Sequence, residues 1–340
     1  MSFKTKYLLM ALVTAIGVAG CTSTSVFTKP AIPVPVEKNV LSGREGVNGP
    51  VLVVKIDDTN AAHPQIGLED ADIVYIEQVE GGLTRLAAVF SSVIPMRIGP
   101  VRSARISDIE IMAQYGRVAF AYSGAQRRLL PVIAAANLQN LGAQSQSPKI
   151  YINDVTRRQP HAMVLRADLL MQEIVDKEYK VDLAKSVGWN FGDTALKGVE
   201  ISRATIRWPA ATYGIVWSSL ENRWHLTHNN EPNLSDLGKV LGPTTFVIQI
   251  ISITPSEYGD KFGGVTPFSN TVGNGSGYIL REGKSFTARW SRLSPELGTT
   301  WTSLDGSEIA FAPGQVWVAL TGSEPDFTLI PTKAEPVPTK

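Results

Sequence analysis

Two β-rich runs, residues 72–79 and 83–92, meet at Gly81-Gly82, and three arginines follow within nine residues, just before a helix start signal. Paired glycines supply the positive φ angles of a two-residue hairpin. That register sets Gln78 opposite Arg85, with Glu80 diagonal to it, while Glu77, Tyr75 and Leu86 point to the other face. Arg85 then reads as one half of a cross-strand ion pair or as part of a site. Upstream, residues 51–56 form an apolar run of strand length that suits a buried central strand. Asp57-Asp58 follow at its C-terminal end, the edge where ligands bind in open α/β sheets. A plain turn over Asp58-Thr59-Asn60 explains the same residues, and it is the preferred reading of Asp58.

Arg97, Arg102 and Arg105 precede Ser107-Asp-Ile-Glu110, which matches a capping box, and Gly116 closes the helix. Partial positive charge at a helix N-terminus disfavours arginine unless an anion intervenes. Backbone amides and guanidinium forks together suit phosphate or carboxylate. The competing account is an ion-pair network in which Asp57, Asp72, Glu77 or Glu80 neutralises the arginines. Residues 117–122 form a further strand ending at Tyr122, and a small-residue turn leads into a helix from Gln126, bent at Pro131. After a polar loop over 137–149, Arg157-Arg158-Gln-Pro-His161 adds a histidine able to act as general base, phosphate ligand or ordinary hydrogen-bonder. A helix over 167–179 follows. The ligand-binding candidates are Arg97, Arg102, Arg105, Arg85, Asp57, Glu80, His161 and Tyr122.

Beyond Gly192 helical periodicity gives way to short strand-like runs, among them 204–208, 213–218, 224–227, 245–253, 277–280, 286–290, 308–312 and 316–320. Turn signals between them predict an antiparallel β region. Six of the seven tryptophans lie past residue 200, and their alternation favours a buried core over a carbohydrate-stacking platform. His225 and His228 lack a third ligand at metal-like spacing, so no metal site and no cofactor are expected. The fold class predicted is an α/β (or α+β) N-terminal domain with a mixed sheet, over 51–192, followed by a mainly antiparallel β C-terminal domain over 193–330.

The ends of the chain supply an address. Lys4 and Lys6 precede an apolar run over 7–18, then small residues and Cys21, the layout of a secretory signal peptide over 1–20. Val18-Ala-Gly-Cys21 matches the lipobox of bacterial lipoproteins, in which the cysteine is acylated, as with palmitate. The alternative is a secreted protein with a coincidental cysteine. Pro, Ser and Thr dominate 21–50, which reads as a tether, and 331–340 reads as a disordered tail. One cysteine excludes an intramolecular disulfide. With 32 basic and 31 acidic residues the chain carries +1, and losing Lys4 and Lys6 leaves about −1, so nucleic acid is not an expected partner. No Walker loop, dinucleotide fingerprint, zinc motif or nucleophile elbow is present.

The segments Ala71-Asp-Ile-Val-Tyr75, Val79-Glu-Gly-Gly-Leu-Thr-Arg85 and Ile98-Gly-Pro-Val-Arg-Ser-Ala-Arg105 resemble the YerB-like bacterial lipoproteins. Gln65-Ile-Gly-Leu68, Phe120-Ala-Tyr-Ser-Gly124, Pro160-His161 and the strand over 316–320 extend the resemblance across nearly the whole mature chain. It implies a two-domain, lipid-anchored protein without an established activity. The function expected is therefore an extracytoplasmic protein, held at a bacterial membrane through acylated Cys21, that binds an anionic wall or lipid precursor through its arginines. One alternative is an envelope phosphotransferase or hydrolase using the same arginines with Asp57 and a divalent metal. The other is a non-catalytic scaffold with a structural ion-pair network.

Overall fold

The structure, a computed structural model, describes residues 36–260 and 263–330. The expected signal peptide, the lipidation site Cys21 and the tail over 331–340 lie outside the described residues. Residues 39–42, placed in the tether on composition, pack against the fold. Leu41 is fully buried, and the Ser42 hydroxyl donates to Asp72 Oδ1 at 2.6 Å. No described helix is long and apolar enough to cross a membrane.

The first half supplies β1 (Leu52–Asp57), β2 (Ile73–Gln78), β3 (Thr84–Phe90), β4 (Arg97–Ile98), α1 (Ile106–Ala113), β5 (Val118–Ala121), α2 (Leu130–Ala135), β6 (Leu138–Asn140), β7 (Tyr151–Asn153), β8 (Met163–Arg166) and α3 (Ala167–Asp176). The second half is almost all strand: β9 (Val199–Trp208), β10 (Ala211–Ser218), β11 (Arg223–His228), β12 (Glu231–Pro232), β13 (Thr245–Ile250), β14 (Ile253–Gly259), β15 (Val265–Ser269), β16 (Gly273–Arg281), β17 (Lys284–Arg292), β18 (Thr300–Thr302), β19 (Val316–Thr321) and β20 (Asp326–Leu329). One mixed sheet runs through both halves in the order β12-β11-β10-β9-β17-β16-β13-β19-β2-β3-β1-β5-β6.

The junction is β19, a buried apolar strand lying parallel between β13 and β2, with Val316 opposite both Thr245 and Ile73. A strand covered on both faces has no polar side to spare, which is why residues 316–320 read as a continuous apolar run. Each face of the sheet carries a core drawn from both halves. Val74, Leu86, Tyr213, Phe246 and Trp317 meet on one face. Val53, Ile73, Phe120, Val247 and Trp290 meet on the other. Trp208, Trp224, Trp290, Trp301 and Trp317 are all buried, so these tryptophans fill the core.

Two expectations shift by a residue or two. The β2–β3 connection is longer than a two-residue turn: Glu80–Gly82 form a 3-10 turn, with φ of 68° at Gly81 and 71° at Gly82. The partner of Arg85 is therefore Glu77, not Gln78, and Gln78 pairs with Thr84. Glu77 and Tyr75 thus share the face of Arg85, and Leu86 takes the opposite one. Likewise α1 begins at Ile106, with Arg105 as its cap residue and the Arg105 amide donating to Asp108 Oδ2 at 2.6 Å. Ser107 and Glu110 instead tie the helix to the second half: Ser107 Oγ accepts from the Ser269 amide at 3.0 Å and Glu110 from the Thr271 amide at 2.7 Å.

Because β19 joins the halves, Trp317→Ala should cost about 3–5 kcal/mol of stability. Urea unfolding of that variant, followed by circular dichroism, should keep one cooperative transition at a lower midpoint. Separate transitions for the two halves would contradict the shared sheet.

Candidate functional site

Residue alternation along β1 sends Lys55 and Asp57 to one face. There Asp57 lies opposite Arg85, which lies opposite Glu77 on its other side. The segment around Arg102 then runs alongside the end of β1: the Asp57 amide donates to the Pro100 carbonyl and the Arg102 amide to the Lys55 carbonyl, both at 2.8 Å. It also touches the end of β5, where the Ser123 amide donates to the Arg102 carbonyl at 2.9 Å. Because β1 and β5 are parallel, Arg102 sits by the C-terminal ends of two parallel strands.

Asp57 is fully buried and its carboxylate is fully engaged. Oδ2 accepts from Arg102 Nε at 2.8 Å and contacts His161 Nδ1 at 2.7 Å, while Oδ1 accepts from the Thr59 amide and hydroxyl at 3.1 and 3.0 Å. Arg105 forks onto Glu80 Oε2 through Nε and Nη2, at 2.9 and 2.6 Å, and Thr266 of β15 donates to Glu80 Oε1. Hydrogen bonding and charge from Arg105 outweigh burial and hold Glu80 below the usual carboxylate range.

Arg85 differs from its neighbours. Its guanidinium donates to the Ser103 carbonyl at 2.8 Å, and among the described residues no carboxylate lies within ion-pair distance of it. Burial, then the charges of Arg105 and Arg102, push Arg85 down to about 9. The structure therefore gathers Arg85, Arg102 and Arg105. Arg97 stands exposed on the short strand β4, opposite Arg166, and shares no described hydrogen bond or ion pair with them. Tyr122 is buried in the core with its hydroxyl on Asn140 Oδ1 at 2.9 Å. At the start of α1 the Arg105 amide is taken by Asp108, and Ser107 and Asp108 are fully buried. Neither of two cavities of about 600 Å3, lined by residues such as Met112, Tyr258 and Phe268 or Arg44, Glu69 and Lys239, includes the arginines. Arg85 is 9% exposed and the side chains of Arg105 and Arg102 are 11% and 21% exposed, so the cluster reaches the surface mainly through Arg102.

Below it lies a buried triad that sequence reading missed, since it considered Glu77 only as a partner for the arginines. Lys55 Nζ bonds Glu77 Oε1 and reaches Asp108 Oδ1 at 2.7 Å, with all three side chains fully buried. Lysine in a central strand gave no cue of its role, because its partners come from β2 and α1. Two carboxylates share one ammonium, so burial and the Asp108 charge outweigh Lys55 and push Glu77 up to about 7. The sign follows: the folded state keeps a proton that the unfolded chain loses near 4.5, so this group's stabilisation is complete at low pH and is lost as pH rises through about 7. The stability of wild type relative to Glu77→Gln should therefore fall between pH 5 and 8, by at most about 1.4 kcal/mol per pH unit. Urea midpoints of both proteins across that range check it. A difference independent of pH would contradict the raised value.

Comparison with known proteins places the chain in a family. Residues 40–180 match the model described as "Protein of unknown function (DUF3048) N-terminal domain", and residues 204–318 match its C-terminal domain. A Bacillus subtilis (strain 168) protein named "Putative lipoprotein YerB" is 50% identical over 56 residues, 16% of this chain and 17% of that relative's length. The crystal structure of YerB from Bacillus subtilis superposes with a TM-score of 0.72 at 18% identity, covering 85% of this chain and 99% of that one. That likeness carries the fold, and the two matched regions correspond to the mixed half and the mainly antiparallel half of the sheet. On these matches the chain belongs to the DUF3048 family of YerB-like proteins.

Proposed function

We propose that this protein is anchored by lipid on Cys21 outside the cytoplasm of a bacterium, and that it binds an anionic envelope ligand at Arg85, Arg102 and Arg105. The name of its Bacillus subtilis relative and the lipobox-like Val18-Ala-Gly-Cys21 support the address. Arg85 carries the binding reading: a cation crowded by two others and lacking a carboxylate of its own is relieved by an incoming phosphate or carboxylate. Asp57 and Glu80 hold the outer two guanidinium groups in place, and His161 is fixed through Nδ1 with Nε2 free of any described hydrogen bond.

One observation favours a second reading, that of a scaffold. Lys55, Arg85, Arg102 and Arg105 face Asp57, Glu77, Glu80 and Asp108, so the extended network balances when every acid is ionised. The metal-dependent enzyme draws no support at Asp57, because the Arg102 guanidinium already sits on Oδ2 at 2.8 Å and would repel a second cation there. Isothermal titration with oligo(glycerol phosphate) and with inorganic phosphate separates the two readings. Binding should weaken at least tenfold in Arg85→Met, a change of about 1.4 kcal/mol or more. Arg128→Ala, which breaks an exposed pair with Glu257, should bind as wild type does. Equal affinity in wild type and Arg85→Met would support the scaffold.

A further inference from the structure

While Asp57 turns to the arginine face, Asp58 turns to the other, and there it meets two histidines. His63 Nε2 lies 3.4 Å from Asp58 Oδ1, and His228 Nε2 lies 3.8 Å from Asp58 Oδ2. The two imidazoles stack with centroids 4.5 Å apart, and one ligand atom from each of the three residues falls within 4.8 Å of the others. Two donors each about 2.0–2.1 Å from one tetrahedral ion stand about 3.3 Å apart, so the two aspartate–histidine separations of 3.4 and 3.8 Å come close to those of ligands around a shared ion. Hydrogen bonding within the cluster leaves it incomplete. His228 is only 4% exposed and its Nε2 has no hydrogen-bond partner. Gln65 beside them has no exposed surface, and its Oε1 also has no hydrogen-bond partner.

Gln65 completes the set. Its Nε2 stands 3.1 Å from His63 Nε2 and 3.4 Å from Asp58 Oδ1. Turning the amide over, which changes only which atom is oxygen, puts an amide oxygen at those distances as the fourth donor of the set. Hydroxyl groups hold the carboxylate from outside: Tyr213 donates to Asp58 Oδ1 at 2.7 Å and Thr84 to Oδ2 at 2.5 Å. Such outer bonds orient a carboxylate toward a metal.

We propose that Asp58, His63 and His228, with the amide oxygen of Gln65, form a binding site for a divalent transition-metal ion of the zinc type. Two imidazole nitrogens select this class over magnesium or calcium, which prefer oxygen donors throughout. The ion would join the end of β1 and the following loop to β11, tying the first half of the chain to the second. The site is separate from the arginine cluster and does not depend on its function.

Spacing alone hides the site, since His63 and His228 are far apart in sequence and meet only because β10 and β11 pack over the end of β1. His225, the histidine nearest His228, pairs with Glu221 at 3.0 Å instead. The test is Zn2+ and Co2+ titration of the full chain carrying Cys21→Ser, so that its thiol contributes no ligand. Wild-type residues at the site should bind one ion, give the visible bands of four-coordinate Co2+ and raise the melting temperature. His63→Ala and Gln65→Ala, which leave the more deeply packed His228 in place, should weaken binding at least tenfold, while His225→Ala should not change it. Absence of stoichiometric binding, or equal affinity in wild type and His63→Ala, overturns the proposal.

Discussion

Burying charge at the end of β1 is the constraint from which the rest of the site follows. Lys55, Asp57 and Asp58 are each 1% exposed or less, within or just past a strand flanked by β3 and β5. A buried charge without a partner is costly enough to be neutralised or expelled, so each needs partners brought from elsewhere. Lys55 takes Glu77 and Asp108, Asp57 takes Arg102 and His161, and Asp58 takes Thr84 and Tyr213. These partners come from β2, α1, the segment after β4, the loop before β8, β3 and β10. Strand alternation divides them between two faces, which separates the arginine cluster from the histidine cluster although their aspartates are neighbours.

The same constraint accounts for how the second half is placed. Tyr213 reaches Asp58 from β10, Thr266 reaches Glu80 from β15, and Glu110 of α1 accepts from Thr271. These bonds act beside the β19–β2 pairing, so the polar network and the sheet fix the halves by independent means. Arg292 adds a further tie, donating to the carbonyl of Glu110 at 2.7 Å and to Thr271 Oγ1 at 2.8 Å.

Local signals made much of this legible. The β-rich runs, the helix near Ser107, the tryptophan core and the antiparallel second half all follow from periodicity and turn residues. The one-residue register error at Arg85 arose because a Gly-Gly pair is compatible both with a two-residue turn and with the longer 3-10 connection seen here. The α1 cap shifted because Asp108, not Glu110, reaches back to the chain entering the helix, and a charge drawn to the Lys55 triad carries no local mark. Proximity between Asp57, Glu80 and the arginines was readable from strand ends and loop length. The exclusion of Arg97 was not, since it depends on β4 pairing with β8. The histidine cluster was invisible because metal motifs are recognised by short spacing, whereas here tertiary packing brings the donors together.

The central claim is that three crowded guanidinium groups, one of them without a carboxylate, form a seat for external negative charge. Nitrogen-15 NMR of the arginine Nε–H groups during titration with oligo(glycerol phosphate) tests it most directly. Saturable shifts shared by Arg85, Arg102 and Arg105, with Arg128 and Arg207 unmoved, are the predicted result. Signals from the three that stay fixed, or that move no more than those of the surface arginines, would contradict it.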